Sequence, residues 1–116
     1  MLGDGQGNFT SQGFFPGPGP TLFHNSLNPA IGDFNGDGFP DVAVADEFSQ
    51  VTDIVLGIGD GTLQSVVQLY AGGGQEFAAL VAGDLNGDGK TDLVLSGLDP
   101  RTSKGVVTEL VNNTAQ

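Results

Sequence analysis

The chain has 116 residues, with 3 Lys+Arg against 14 Asp+Glu, so its formal net charge is −11. This length fits one ordinary domain, and three cations cannot supply the basic surface that nucleic acid or an anionic membrane requires. No apolar run approaches the roughly 20 residues of a spanning helix, and the absence of Cys excludes disulfides and thiolate metal sites.

Short apolar runs bounded by Gly, Asp and Asn predict β-strands along the whole sequence. With 20 Gly and 6 Pro beside 38% hydrophobic residues, the composition favours an all-β protein with tight turns. The predicted strands are, in chain order, a weak one at 9–15, then 29–32, 41–45, 51–56, 63–70, 78–83, 92–96 and 105–111. The Pro-rich segment 16–29 is predicted to be an irregular loop.

The sequence contains an internal repeat. Residues 33–42 read DFNGDGFPDV, and residues 84–93, 51 positions later, read DLNGDGKTDL. A glycine-rich block at 2–9 recurs at 56–63, and a strand-like block at 51–56 recurs at 107–112, so the offsets are 54 and 56. Because three blocks recur in the same order, we expect one domain over 1–116 built from two four-stranded repeats, approximately 1–56 and 57–112.

Each repeat has an acidic loop with oxygen-bearing side chains at positions 1, 3, 5 and 9, counted from its first Asp. With Gly at position 6, this is the spacing of a calcium loop, in which alternate side chains turn toward the ion. We therefore expect two Ca²⁺ per chain, one in each repeat. The expected ligands are the side chains of Asp33, Asn35, Asp37 and Asp41 with the carbonyl of Phe39, and those of Asp84, Asn86, Asp88 and Asp92 with the carbonyl of Lys90.

Other interpretations of these loops are weaker. Asp-Gly and Asn-Gly pairs also form ordinary turns, but two loops with identical spacing favour metal binding. Mg²⁺ is disfavoured because it prefers a tight octahedron with several waters. An EF-hand or a dockerin carries an acid at position 12 beside helical flanks, whereas position 12 is Val44 or Leu95 here and the flanks are predicted strands.

The acidic loop, the strand after it and the block L-G-x-G-x-G-x-[FL] together resemble the FG-GAP/VCBS-type repeat and the blades of integrin α-subunit propellers. The resemblance extends from Leu2 to about Asn113. It implies that each repeat is a four-stranded blade of a β-propeller, in which the calcium loop joins the innermost strand to the next and uses the ligands named above. The segment 13–29 and the weak first strand depart from the family pattern.

Two blades do not close a propeller, which usually has 4–8 blades. The predicted strands are circularly offset, so that the N-terminal strand would complete a C-terminal blade. Two explanations stand open: chains assemble head to tail into a homotrimeric or homotetrameric ring, or the chain is an excised fragment of a larger propeller. The ring is favoured because the chain contains two whole repeats with the circular offset that closes a propeller.

The expected function is a non-catalytic, calcium-binding module for adhesion or for recognition of a protein or glycan. The resemblance implies an extracellular or cell-surface setting, and any secretion signal is expected to be absent from this chain or removed. A carbohydrate-binding, lectin-like ring is the alternative. An enzyme is not expected, because there is no Cys and no paired His, and His24 has no evident partner. Packing between blades is expected for the aromatic residues Phe14, Phe15, Phe23, Phe48 and Tyr70.

Overall fold

The computed structural model describes residues 2–11, 26–46, 51–70 and 76–113, and within these ranges it contains strands and no helix. The described part of the chain therefore provides no helix that could span a membrane. The strands are β1 (Leu2–Gly3), β2 (Phe9–Thr10), β3 (Ser26–Gly32), β4 (Asp41–Asp46), β5 (Val51–Gly57), β6 (Leu63–Tyr70), β7 (Glu76–Gly83), β8 (Asp92–Asp99) and β9 (Lys104–Leu110). They form three antiparallel sheets, β1-β2, β3-β4-β5-β6 and β7-β8-β9. The predicted all-β class is confirmed.

The strand predictions differ from the structure mainly at strand ends. β6 has the predicted bounds, whereas β3 begins at Ser26, inside the segment predicted to be a loop. A bulge between Leu27 and Ala30 lets β3 continue past Pro29, which has no N–H for the ladder. Of the predicted strand 9–15, residues 9–11 lie in the described part and 9–10 form β2, whereas 12–25 falls outside it. The roles expected for His24 and for the aromatic residues of 12–25 and 47–50 also fall outside the described residues, as does the side chain of Tyr70.

The pairing register corrects one sequence alignment. Val42 pairs with Val55 in the first repeat, and Leu93 pairs with Leu110 in the second. Val42 and Leu93 are 51 residues apart and occupy equivalent positions. The third strands of the two larger sheets, β5 and β9, therefore correspond at an offset of 110 − 55 = 55, not at the predicted 56. The observed pairing, and not the similarity of the two sequence blocks, defines the correspondence, because a slip by one residue would turn every side chain to the opposite face of the sheet.

The glycine-rich blocks form matching turns. Gly3 pairs with Phe9 across the β1–β2 turn, and Gly57 pairs with Leu63 across the β5–β6 turn. In both turns the residue after the pairing glycine donates its N–H to a carbonyl four residues on, at 3.2 and 3.3 Å. Two glycines in each turn have positive φ, which side chains disfavour: Gly5, Gly7, Gly59 and Gly61. The predicted offset of 54 is confirmed.

The hydrophobic core lies between the two larger sheets, where β3 and β4 pack against β7. The first sheet contributes mainly alanines to this core, and the second contributes leucines. The first sheet contributes Ala30, Ala43, Ala45 and Ile54, and the second contributes Leu80, Leu93 and Leu95. Phe34, from the loop between β3 and β4, is buried in the same cluster.

Candidate metal sites

Each acidic loop joins the first strand of a larger sheet to the second. The first acidic loop, 33–41, lies between β3 and β4, and the second, 84–92, lies between β7 and β8. Both contain two glycines with positive φ, between 76° and 88°: Gly36, Gly38, Gly87 and Gly89. The backbone therefore curls in the same way in both repeats, as the common spacing predicted.

The Asp at position 1 organises each loop through its carboxylate. One oxygen of Asp33 accepts the N–H groups of Gly36 at 2.8 Å and Asp37 at 3.2 Å, and the other accepts that of Gly38 at 2.8 Å. Asp84 accepts the N–H groups of Gly87, Asp88 and Gly89 at the same three distances. Two loops with different neighbours thus have one hydrogen-bond pattern, which their shared sequence determines.

Positions 3 and 5 add a second layer of hydrogen bonds. In the first loop, Asn35 accepts the Asp37 N–H at 3.1 Å, and Asp37 accepts the Phe39 N–H at 2.9 Å. The Asn35 amide also donates to the other oxygen of Asp37 at 3.0 Å. The second loop repeats these contacts at 3.2, 2.9 and 3.3 Å. Because an ionised carboxylate offers about four lone-pair sites, each of these Asp residues retains acceptor capacity.

The Asp at position 9 has a different environment, since it is buried at the start of the second strand. Asp41 accepts the N–H of Phe34 on one oxygen and that of Gly57 on the other, both at 2.9 Å. Asp92 accepts the N–H of Leu85 at 2.9 Å and that of Asn112 at 2.7 Å. Each carboxylate therefore fastens the beginning of its loop to the end of the third strand region.

This fastening role was missed in the sequence, which assigned position 9 to the metal alone. The partners at Gly57 and Asn112 lie 16 and 20 residues away, and only the sheet brings them to the loop. The N–H groups of Asn112 and Leu85 lower the pKa of Asp92 from its ordinary value of 3.8, because they stabilise the ionised form.

Asn112 is a second residue whose role the sequence did not indicate. Its side-chain amide donates to the carbonyl of Phe34 at 2.7 Å and to that of Thr91 at 3.0 Å. These two carbonyls belong to different acidic loops. Asn112 thus links the acidic loops of the two sheets directly and fixes their relative position.

The donor chemistry of the loops fits a hard cation. Positions 1, 3 and 5 supply carboxylate and amide oxygens within one exposed loop, and such oxygens are the ligands that Ca²⁺ prefers. Within the described ranges, no three side chains among His, Cys, Asp and Glu form a metal-binding group. The fit therefore rests on Asp33, Asn35 and Asp37, and on their counterparts in the second loop. The full ligand set, including position 9, stays a prediction.

Comparison with known proteins gives one result. A family model described as an FG-GAP-like repeat matches residues 33–95, which is more than half of the chain. The match runs from the start of the first acidic loop to Leu95 in β8, and so includes both loops. No curated protein and no solved structure matches the chain.

Proposed function

The chain belongs to the FG-GAP-like repeat family, and from this premise we propose that it is a calcium-stabilised, β-propeller-type module for extracellular recognition or adhesion. The observation that carries the proposal is the pair of acidic loops with one hydrogen-bond pattern. Turns of unrelated purpose need not share such a pattern over nine positions. A cation-binding loop does, because the oxygens must converge on one point.

The proposed ligands are the oxygens of Asp33, Asn35, Asp37 and the Phe39 carbonyl, with Asp84, Asn86, Asp88 and the Lys90 carbonyl in the second loop. Asp41 and Asp92 hold these loops in place through their hydrogen bonds to backbone N–H groups, and they complete the predicted ligand set. A bound Ca²⁺ would neutralise part of the acidic charge, and two ions would change the formal charge from −11 to −7. Metal affinity for the folded loop adds directly to the stability of the fold.

The proposal is a binding module and not an enzyme. The loop carboxylates are engaged by backbone N–H groups, which is a structural use of their lone pairs. Loops that lack an acidic ligand at position 12 suit the millimolar calcium found outside cells, since extracellular sites bind with Kd values of about 10⁻⁴–10⁻³ M. We therefore place the module outside the cell.

The calcium proposal is tested by thermal unfolding in millimolar calcium and in excess chelator. We expect the chelator to lower the melting temperature, because each site adds about 0.4–1.4 kcal/mol when the calcium concentration is one to ten times its Kd. The double variant Asp37→Asn with Asp88→Asn should lose this dependence. Asp60→Asn is the matched control, since Asp60 lies in the β5–β6 turn and bonds to Thr62. Equal melting temperatures in calcium and chelator would refute the proposal.

The recognition role is tested by binding to a glycan array and to a panel of immobilised extracellular proteins, each with calcium and with chelator. Calcium-dependent binding to a protein supports the adhesion role. Binding to a defined glycan supports the lectin-like alternative. Absence of binding on both surfaces contradicts a recognition function for this chain.

A further inference from the structure

The two larger sheets pack through faces that are not equivalent in the repeat. Ala43 and Ala45 of β4 contribute to the core, and at the 51-residue offset they correspond to Val94 and Ser96 of β8. The core residues of β8 are instead Leu93 and Leu95, which point to the opposite face. The face of the first sheet that carries Ala43 therefore packs against the face of the second sheet that carries Leu93. Because these two faces do not correspond in the repeat, the interface is head to tail.

This arrangement leaves the second sheet with an exposed apolar face. Ala30 is 7% exposed in the interface, whereas its counterpart Val81 is 59% exposed. Phe34 is 5% exposed, whereas its counterpart Leu85 is 48% exposed. Val107, on the same face of β9, is also exposed. The residues that the first repeat buries against its neighbour are thus presented to solvent by the second repeat.

The first sheet presents the complementary face. Ala82, Leu93 and Leu95 of the second sheet pack in the core, and their counterparts are Ile31, Val42 and Val44. Ile31 is 69% exposed, and the two valines are half-buried. Asp53 and Val55 on this face are already buried. The available surface is consequently the part formed by β3 and β4, which corresponds to the strands that make the existing interface.

We propose that a second copy of this chain docks its β3–β4 surface, around Ile31, on the exposed β7–β9 surface, around Val81 and Leu85. The argument is continuity with the interface inside the chain, because the same two kinds of face meet in the same order. A head-to-tail contact of this kind leaves one unused face at each end, so it continues into a closed ring or a filament. The proposal goes beyond the recognition function and does not depend on metal binding.

The distribution of charge permits this contact. Among the described side chains of β7–β9, Glu109 on the outer strand is the exposed carboxylate of this surface, and the second acidic loop adjoins the surface at Leu85. Each copy nevertheless has a formal charge of −11. Salt screens such repulsion over distances beyond about 8–10 Å. Association should therefore strengthen from low salt to physiological salt.

The test uses two variants that each block one surface. Val81→Glu places a charge on the receiving surface, and Ile31→Glu places one on the docking surface. Both side chains are largely exposed in the single chain, so neither change removes a core residue. In physiological salt with calcium, light scattering should give a mass of at least three times 11.8 kDa for the wild type and 11.8 kDa for each variant alone. An equimolar mixture should form a dimer, because each variant keeps the surface that the other lacks.

Ile58→Glu is the control, since Ile58 lies in the β5–β6 turn outside both surfaces, and this variant should assemble like the wild type. Circular dichroism confirms that each variant is folded, and the neutral changes Val81→Gln and Ile31→Gln repeat the test without added charge. A monomeric wild type at high micromolar concentration overturns the proposal. Assembly of either blocked variant alone, or a monomeric mixture, overturns it equally.

Discussion

Asp41 and Asp92 are buried carboxylates that hold a loop against a strand. Removing a charged group from water is costly unless hydrogen bonds replace the lost hydration. Each of these carboxylates accepts two backbone N–H groups, one on either oxygen, so its charge is met by fixed dipoles. The acidic loop is consequently positioned by a residue that also stands in the predicted metal-binding pattern.

A substitution at Asp41 separates these two roles. In excess chelator, Asp41→Asn should lower the free energy of unfolding by about 1–3 kcal/mol, because the amide has one acceptor oxygen and leaves a buried N–H without a partner. Asp37→Asn should change stability little under the same conditions, since Asp37 is exposed. Urea unfolding measures both values. Equal stability of Asp41→Asn and wild type in chelator would show that Asp41 does not fasten the loop.

The lowered pKa of Asp92 predicts a pH dependence. The folded state binds a proton at this carboxylate less readily than the unfolded state, so the associated stability is present above about pH 4 and is lost as the pH falls through the folded-state pKa. Melting temperatures measured from about pH 6 downward should fall less steeply in Asp92→Asn than in the wild type. Asp4, Asp60 and Asp99 also have lowered pKa values and remain in the variant, so some acid dependence persists. Parallel curves would contradict the prediction.

At the scale of elements, the two third strands end in different ways at one equivalent position. Gly57 ends β5 and lies against the backbone of Pro40, leaving no space for a side chain. Asn112 follows β9 and uses its amide to link Phe34 and Thr91. Both residues donate their N–H to the Asp at position 9. The backbone contact is thus common to the repeats, whereas the side chain depends on what lies alongside the strand.

Replacement of Gly57 tests the close approach at the end of β5. In Gly57→Ala the new Cβ would overlap the carbonyl oxygen of Pro40, and backbone cannot move aside cheaply. We expect a loss of about 1–3 kcal/mol in the free energy of unfolding, as for other overpacked sites. Gly105→Ala in β9 is the control, because its Cβ would have only one atom at 4.0 Å. A loss of the same size at both positions would indicate a general effect of glycine replacement in strands.

At the scale of the whole molecule, equivalent residues have unequal surroundings because the two sheets stack in one direction. Gly32 and Gly83 illustrate this, since they occupy the same place in the two repeats. A Cβ at Gly32 would lie 2.7 Å from the Thr91 methyl group, across the interface between the sheets. A Cβ at Gly83 would have nothing within 4 Å. The position of a residue in the stack, not its sequence context, decides whether it has space.

The pair gives a direct prediction. In dilute, monomeric protein, Gly32→Ala should lower the free energy of unfolding by about 1–3 kcal/mol through overpacking, whereas Gly83→Ala should leave it nearly unchanged. Denaturant unfolding of both variants measures the difference. Equal stability of the two variants would contradict the close contact between Gly32 and Thr91 across the interface.

The candidate site was predictable to the extent that its determinants are local. The Asp, Asn and Gly spacing specified where each loop lies, and the observed hydrogen bonds of Asp33 and Asp84 stay within five residues. The distant partners of Asp41 and Asp92, Gly57 and Asn112, were not predictable, because they lie at the far end of another strand. The link made by Asn112 joins residues 78 positions apart and was not predictable either.

The sequence by itself determined the all-β class, the places of most strands, the two acidic loops and the matching glycine turns. These features follow from apolar runs, from residues that favour turns and from positive φ at glycine, all of which act over a few residues. The tertiary structure decided the 55-residue correspondence of the third strands, the fastening by Asp41 and Asp92, and which face of each sheet is buried. Those depend on pairing and packing between distant segments, where a shift of one residue reverses the face that a side chain presents.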